Sequence, residues 1–121
     1  MKIIIQIIQS KYTALFWTTL IFILCTIPSN RVPLPDSFSD KFNHFIAFAG
    51  FTFLWLFHTS KYWLILIVAV CYGIGIEFWQ AILPTSFHRG FEWLDALADG
   101  IGSVIGVFIY LIIKRLSAFW E

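Results

Sequence analysis

The sequence predicts an all-α integral membrane protein: a four-transmembrane-helix bundle with both termini cytoplasmic. Three observations predict it. Of the 121 residues, 60% are hydrophobic, 20% aromatic and only 12% charged, whereas a soluble domain carries about a quarter charged residues. The apolar residues gather in four runs, each close to the ~17–25 residues that cross a bilayer. Proline and polar turn residues fall between those runs, where a helix has to stop.

The runs justify the elements in order. The first covers 12–27, with the apolar start Ile3-Ile4-Ile5-Gln6-Ile7-Ile8 as an extension of it. It has a basic start and no small-residue cleavage site, so it reads as an uncleaved span. The stretch 28–40 holds Pro28, Pro33 and Pro35 and is the first and longest extramembrane loop, with room for a short surface helix. Ser39 or Asp40 supplies the N-cap of the second span, 41–58. Residues 58–61 (HTSK) make a tight turn into the third span, 62–83. The stretch 84–93, broken by Pro84 and Gly90, is the last loop, and the fourth span covers 94–113. The runs do not alternate in polarity, and a membrane barrel needs at least about eight alternating segments. Nothing repeats internally, so the chain reads as a single domain.

Charge sets the orientation. Lys2, Lys11, Lys61, Lys114 and Arg115 lie on one side, against Arg31, Lys41 and Arg89 on the other. The positive-inside rule places the former side, and both termini, in the cytoplasm. Trp63 and Trp120 then fall at the inner boundary, Trp79 and Trp93 at the outer one. Cys25 and Cys71 lie within spans without metal-ligand spacing and read as small packing residues. The net charge is +1 with no basic run, which argues against a nucleic-acid partner.

Ionisable residues inside spans are expensive, on the order of 2.5–3.5 kcal/mol each at a helix centre, so their positions carry information. The first span has none. The others hold Lys41 and His44, Glu77 and Gln80, and Asp95 and Asp99. The spacing of three or four residues puts each pair on one helix face. Counted from the inner ends of their spans, His44, Glu77 and Asp99 stand at a common height of roughly 21–22 Å. Lys41, Gln80 and Asp95 form a layer about one turn further out. Arg89 and Glu92 come from the loop above. Three helices with polar groups at one level predict a shared, inward-facing cluster. A salt-bridge network that only locks the helices together is the structural alternative. Lys41 and Asp95 also suit a helix start, and Glu92 reads as a solvated loop residue. Lys41 and Arg89 against Glu77, Asp95 and Asp99 leave one negative charge in excess. A protonated His44, a protonated carboxyl or a bound cation would balance it. Gly102-x-x-x-Gly106, in line with Asp95 and Asp99, is a small-xxx-small packing pattern. Gly73 lies one turn before Glu77 on the same face, and Ala47 and Gly50 are similar candidates on the second span.

The order Asp40-Lys41-x-x-His44-Phe45-x-x-Phe48, then Glu77-x-x-Gln80, then Pro84, Arg89, Asp95 and Asp99-x-x-Gly102-x-x-x-Gly106 resembles the VanZ-like family of small bacterial membrane proteins. The resemblance covers about residues 12–113 and implies a multi-pass protein of the bacterial plasma (inner) membrane. It implies Lys41, His44, Glu77, Gln80, Arg89, Asp95 and the position of Asp99 as the signature polar residues. That last position is commonly Asn in the family and is Asp99 here, and the loop from Pro84 to Arg89 is longer than the usual Pro-Gly-Arg turn. The name-giving member is associated with low-level resistance to the glycopeptide teicoplanin, which makes the cell envelope the expected context.

Three functions compete. In a binding or accessory protein, Lys41 and Arg89 contact phosphate while Glu77, Asp95 and Asp99 bind hydroxyls, with Gln80 and His44 beside them, on a lipid-linked or glycopeptide ligand. In an intramembrane hydrolase or transferase, the catalytic candidates are His44, Glu77 and Asp99, with or without a metal. No H-E-x-x-H, nucleophile elbow or Walker motif is present, and no cofactor is required by the sequence. Transport ranks third, because four short helices without repeats suit alternating access poorly. A homo-oligomer stays open.

Overall fold

A computed structural model of the chain describes residues 2–28, 40–59, 61–87 and 89–118. The described residues form helices and turns with no strand. They comprise α1 (Lys2–Gln9), α2 (Lys11–Thr26), α3 (Asp40–Trp55), α4 (Tyr62–Ile82), a short 3-10 turn (Thr85–Phe87) and α5 (Trp93–Ala118). Residues 29–39 of the expected first loop, with Arg31, Pro33, Pro35 and Ser39, lie outside the described residues, as does Trp120.

Local chemistry sets the boundaries. Ser10 caps α2, its hydroxyl accepting a hydrogen bond from Tyr12 N at 3.2 Å. The cap divides the apolar amino-terminal run: α1 and α2 are separate helices meeting at 60°, so 3–8 does not simply lengthen the first span. At the other end, Ile27 is extended (φ −67°, ψ 153°) immediately before Pro28. Leu83 is likewise extended (φ −70°, ψ 154°) immediately before Pro84. A proline drives its predecessor out of the helical region, and both helices stop there for that reason.

Helices α4 and α5 are each long and apolar enough to cross a membrane, and α1 with α2 makes a third candidate if the bent pair counts as a single span. The protein is therefore a helical membrane protein. At 16 residues, α3 is about 24 Å long, ending at Trp55 rather than at the expected residue 58. At 26 residues, α5 is about 39 Å long and overruns the expected end at 113.

The helices pack up and down. Along α2 and α4, Tyr72 OH donates to Thr18 O, Gln80 Nε2 to Cys25 O and Trp79 Nε1 to Thr26 Oγ1. From the Tyr72–Thr18 pair to the Trp79–Thr26 and Gln80–Cys25 pairs both residue numbers rise by seven or eight, so the two helices are parallel. Along α3 and α5, Lys41 meets Asp95, His44 meets Asp99 and Thr52 meets Ser103, so these are parallel as well. Among the described residues the α3–α5 contact is the most extensive, and α3 also touches α2 and α4.

That contact depends on two glycines. A Cβ at Gly102 would stand 2.6 Å from Phe45 O and 2.9 Å from Phe45 Cα. One at Gly106 would overlap Thr52 Oγ1 and Ala49 O. Backbone therefore lies against backbone, and Thr52 Oγ1 donates to Ser103 O across the seam at 2.8 Å. In lipid, helix association relies on such close approach and on interhelical hydrogen bonds, because apolar surface has no water to escape. Trp17 Nε1 to Ala47 O (2.8 Å) and Trp55 Nε1 to Thr18 Oγ1 (2.9 Å) join α2 to α3 in the same way. Gly50 receives the Trp17 ring, so it serves the α2 contact. The apolar core gathers Ile21, Phe48, Phe51, Ala69 and Ile76. Large apolar side chains such as Phe16, Ile67, Val104 and Phe108 are exposed, as a bilayer-facing surface requires. Cys71 is exposed on α4 rather than packed. Trp63 and Trp93 are also exposed.

Candidate functional site

The parallel α3 and α5 bring their amino-terminal turns together, and α4 presents its carboxy-terminal turns beside them. Five of the predicted polar residues converge there: Lys41 and His44 from α3, Glu77 from α4, and Asp95 and Asp99 from α5. Lys41 Nζ pairs with Asp95 Oδ1 and, at 3.1 Å, with Glu92 Oε2. The His44 ring lies between two carboxylates, with Nδ1 2.6 Å from Asp99 Oδ1 and Nε2 3.5 Å from Asp95 Oδ2. Glu77 Oε2 accepts a hydrogen bond from the backbone amide of Glu92 at 3.1 Å.

Depth orders these groups. Lys41 at the mouth keeps 35% of its side chain exposed and His44 11%, whereas Asp99 keeps 1%. Glu77 is wholly buried. His44, Glu77 and Asp99 each offer a donor atom, and these atoms lie within 4.8 Å of one another. Such a set of one imidazole and two carboxylates can share a proton, accept hydrogen bonds from hydroxyls or amines, or coordinate a cation.

Glycines allow the carboxylates to approach. A Cβ at Gly73 would stand 2.9 Å from Asp99 Oδ2, so the bare α4 backbone makes room for the α5 carboxylate one turn from Glu77. The Gly102 and Gly106 seam continues the same α5 face inward. The stripe that carries Asp95 and Asp99 is thus the stripe that fixes the distance between α3 and α5.

The structure separates two of the predicted site residues from this group. Arg89 reaches across to the end of α2, where Nη2 donates to Leu24 O (2.8 Å) and Ile27 O (3.1 Å), and Nε to Ile27 O (3.2 Å). Gln80 Nε2 donates to Cys25 O at 3.1 Å. The last carbonyls of a helix have no partner within it, and an unsatisfied carbonyl in lipid is costly. Arg89 and Gln80 therefore cap α2. Its end precedes Pro28, which has no N–H to extend the ladder. The reach of Arg89 depends on how α2 sits against α4, which no residue spacing reveals.

Glu92 is the residue that sequence reasoning underrated. It sits one residue before α5, where Asp95 N and Ala96 N both donate to its carbonyl. Its own amide serves Glu77 and its side chain serves Lys41. A position just ahead of a helix carries an amide free of the helix ladder, and that was the available signal. With Arg89 elsewhere, the cluster is more acidic than the sequence suggested: Glu77, Glu92, Asp95 and Asp99 face Lys41 and His44.

Against known families, the VanZ/LLP1 family model matches residues 4–114. Neither the curated proteins nor the solved structures give a match.

Proposed function

The chain belongs to the VanZ/LLP1 family, and from that premise we propose that it binds a polar headgroup of a lipid-linked cell-envelope component. The proposed setting is a bacterial plasma membrane, crossed four times by α2 to α5 with both termini in the cytoplasm. The cluster then opens toward the outer leaflet. The convergence of Lys41, His44, Glu77, Asp95 and Asp99 between three helices carries the reading, because polar groups at membrane depth persist where they serve a pathway or a ligand. The acidic surplus favours hydroxyls and amines of the headgroup as partners of the carboxylates. Among the described residues of the cluster, Lys41, half-open at the mouth, is the cation placed to meet a phosphate. A contribution to teicoplanin resistance follows if the ligand is an envelope precursor.

Labelled lipid-linked sugar phosphates, presented to the purified protein in micelles, test this. The parent is expected to bind, Lys41→Ala and Asp95→Asn to bind at least about tenfold more weakly, each lost charged contact being worth about 1.5–3 kcal/mol. Equal binding by parent and both variants removes the reading.

The hydrogen bond between His44 Nδ1 and Asp99 Oδ1 favours one second reading, an intramembrane hydrolase or transferase with His44 as general base and Asp99 orienting it. Turnover of the same labelled lipids, abolished in His44→Gln, distinguishes it from binding alone.

A further inference from the structure

The geometry points to a divalent transition-metal ion, of the Zn2+ or Mn2+ class, bound by His44, Glu77 and Asp99. This goes beyond the headgroup reading and does not depend on it.

Two independent observations carry the inference. The first is the donor set. One imidazole nitrogen and two carboxylate oxygens, from three different helices, lie within 4.8 Å of one another. Imidazole suits Zn2+ and its neighbours, carboxylates suit harder ions such as Mn2+, and a mixed set selects ions that accept both. Ligand atoms around a tetrahedral Zn2+ stand about 3.4 Å apart, so a set lying within 4.8 Å draws in by at most about 1.4 Å, while His44 Nδ1 and Asp99 Oδ1, 2.6 Å apart, exchange their hydrogen bond for the ion and move slightly apart. Three protein ligands leave a further position for water or for a ligand oxygen.

The second is an orphaned oxygen. Glu77 is wholly buried. Its Oε2 is held by the Glu92 amide, while Oε1 has no hydrogen-bond partner among the described residues. A buried carboxylate oxygen left unmatched is costly, and more so in the low dielectric of a membrane interior. A cation held jointly with His44 and Asp99 removes that cost and offsets the acidic surplus left by the diversion of Arg89. The surroundings fit: Asp95 Oδ2 lies 3.5 Å from His44 Nε2 and can orient the ring, as carboxylates beside metal-bound histidines do. Lys41 then anchors Asp95.

The test uses the full chain purified in detergent, stripped with chelator and dialysed separately against Zn2+, Mn2+, Mg2+ and Ca2+, with bound metal counted by mass spectrometry. The parent is expected to retain close to one Zn2+ or Mn2+ per chain. Glu77→Gln and His44→Gln are expected to bind at least about tenfold more weakly with parent-like helix content by circular dichroism. Thr19→Val, whose hydroxyl only bonds its own helix at Leu15 O, is expected to bind as the parent does. Pulsed electron paramagnetic resonance of Mn2+ bound to the parent is expected to show coupling to an imidazole nitrogen, a reading that needs no variant to fold. Folded parent retaining no more metal than a detergent blank overturns the inference, as does parent-like affinity in Glu77→Gln or bound Mn2+ without nitrogen coupling. Because no lipid ligand is present, failure here leaves the headgroup reading standing, and the reverse also holds.

Discussion

The α3–α5 seam can be tested by adding a single methyl group. Gly102→Ala introduces a Cβ 2.6 Å from Phe45 O, 2.9 Å from Phe45 Cα and 3.1 Å from Phe45 C. These are backbone atoms, and comfortable contacts of carbon lie near 3.5–4.0 Å. No side chain can rotate away, so α3 must retreat by about half an ångström to an ångström. Overpacking of this kind costs about 1–3 kcal/mol. The same substitution also gains helix propensity, about 0.8–1.0 kcal/mol for Gly to Ala. Gly100→Ala isolates the clash, because a Cβ at Gly100, on the same helix, meets nothing within 4 Å. The propensity gain is common to both variants and cancels in their difference. Gly102→Ala is therefore expected to be less stable than Gly100→Ala by about 1–3 kcal/mol in reversible unfolding by denaturing detergent, followed by circular dichroism. Equal stability of the two variants would refute the claim that backbone contact at Gly102 sets the helix spacing. The retreat should also lengthen the 2.6 Å contact between His44 and Asp99, since His44 adjoins Phe45. A shift of the His44 ring resonances in Gly102→Ala, absent in Gly100→Ala, checks that link.

Other consequences follow from the same geometry. Thr52→Val keeps the side-chain shape but loses the 2.8 Å hydrogen bond to Ser103 O; it should lower stability by about 0.6 and at most about 1.7 kcal/mol in the same unfolding assay. Arg89→Ala removes the donors to Leu24 O and Ile27 O; amide exchange at the end of α2 should quicken by about tenfold or more, while exchange in α5 below Gly102 stays unchanged. In a background with Cys25 and Cys71 replaced by serine, a cysteine at Ser86 should react with an impermeant maleimide on intact cells and one at Thr59 should not; the opposite pattern reverses the proposed orientation.

Much of the fold was legible in the sequence because it is local. Membrane length, helical period and the two proline stops at Pro28 and Pro84 act on neighbouring residues, and the boundaries of α2 and α4 fall where those rules place them. The break at Ser10 was also local, yet it was hidden by the apolar character of 3–8, which suits a continued span as well as a separate helix. The height of His44, Glu77 and Asp99 along their helices was legible too, since rise per residue converts position in the chain directly into depth.

Which side chain meets which was not legible, and the physical reason is rotation. Residue spacing gives height and face along one helix but says nothing of how neighbouring helices turn toward each other. Only packing decided these pairings: the Gly102 and Gly106 seam of α3 and α5 sets Lys41 against Asp95 and Glu92, the seat of α2 against α4 takes Arg89 and Gln80 out of the cluster to cap α2, and the contact of α4 with α5 brings the amide of Glu92 to Glu77. The sequence by itself determined a helical membrane protein with ionisable groups at a shared depth. The tertiary structure decided which of them form one buried acidic site, because lateral contact between helices exists only once they have docked.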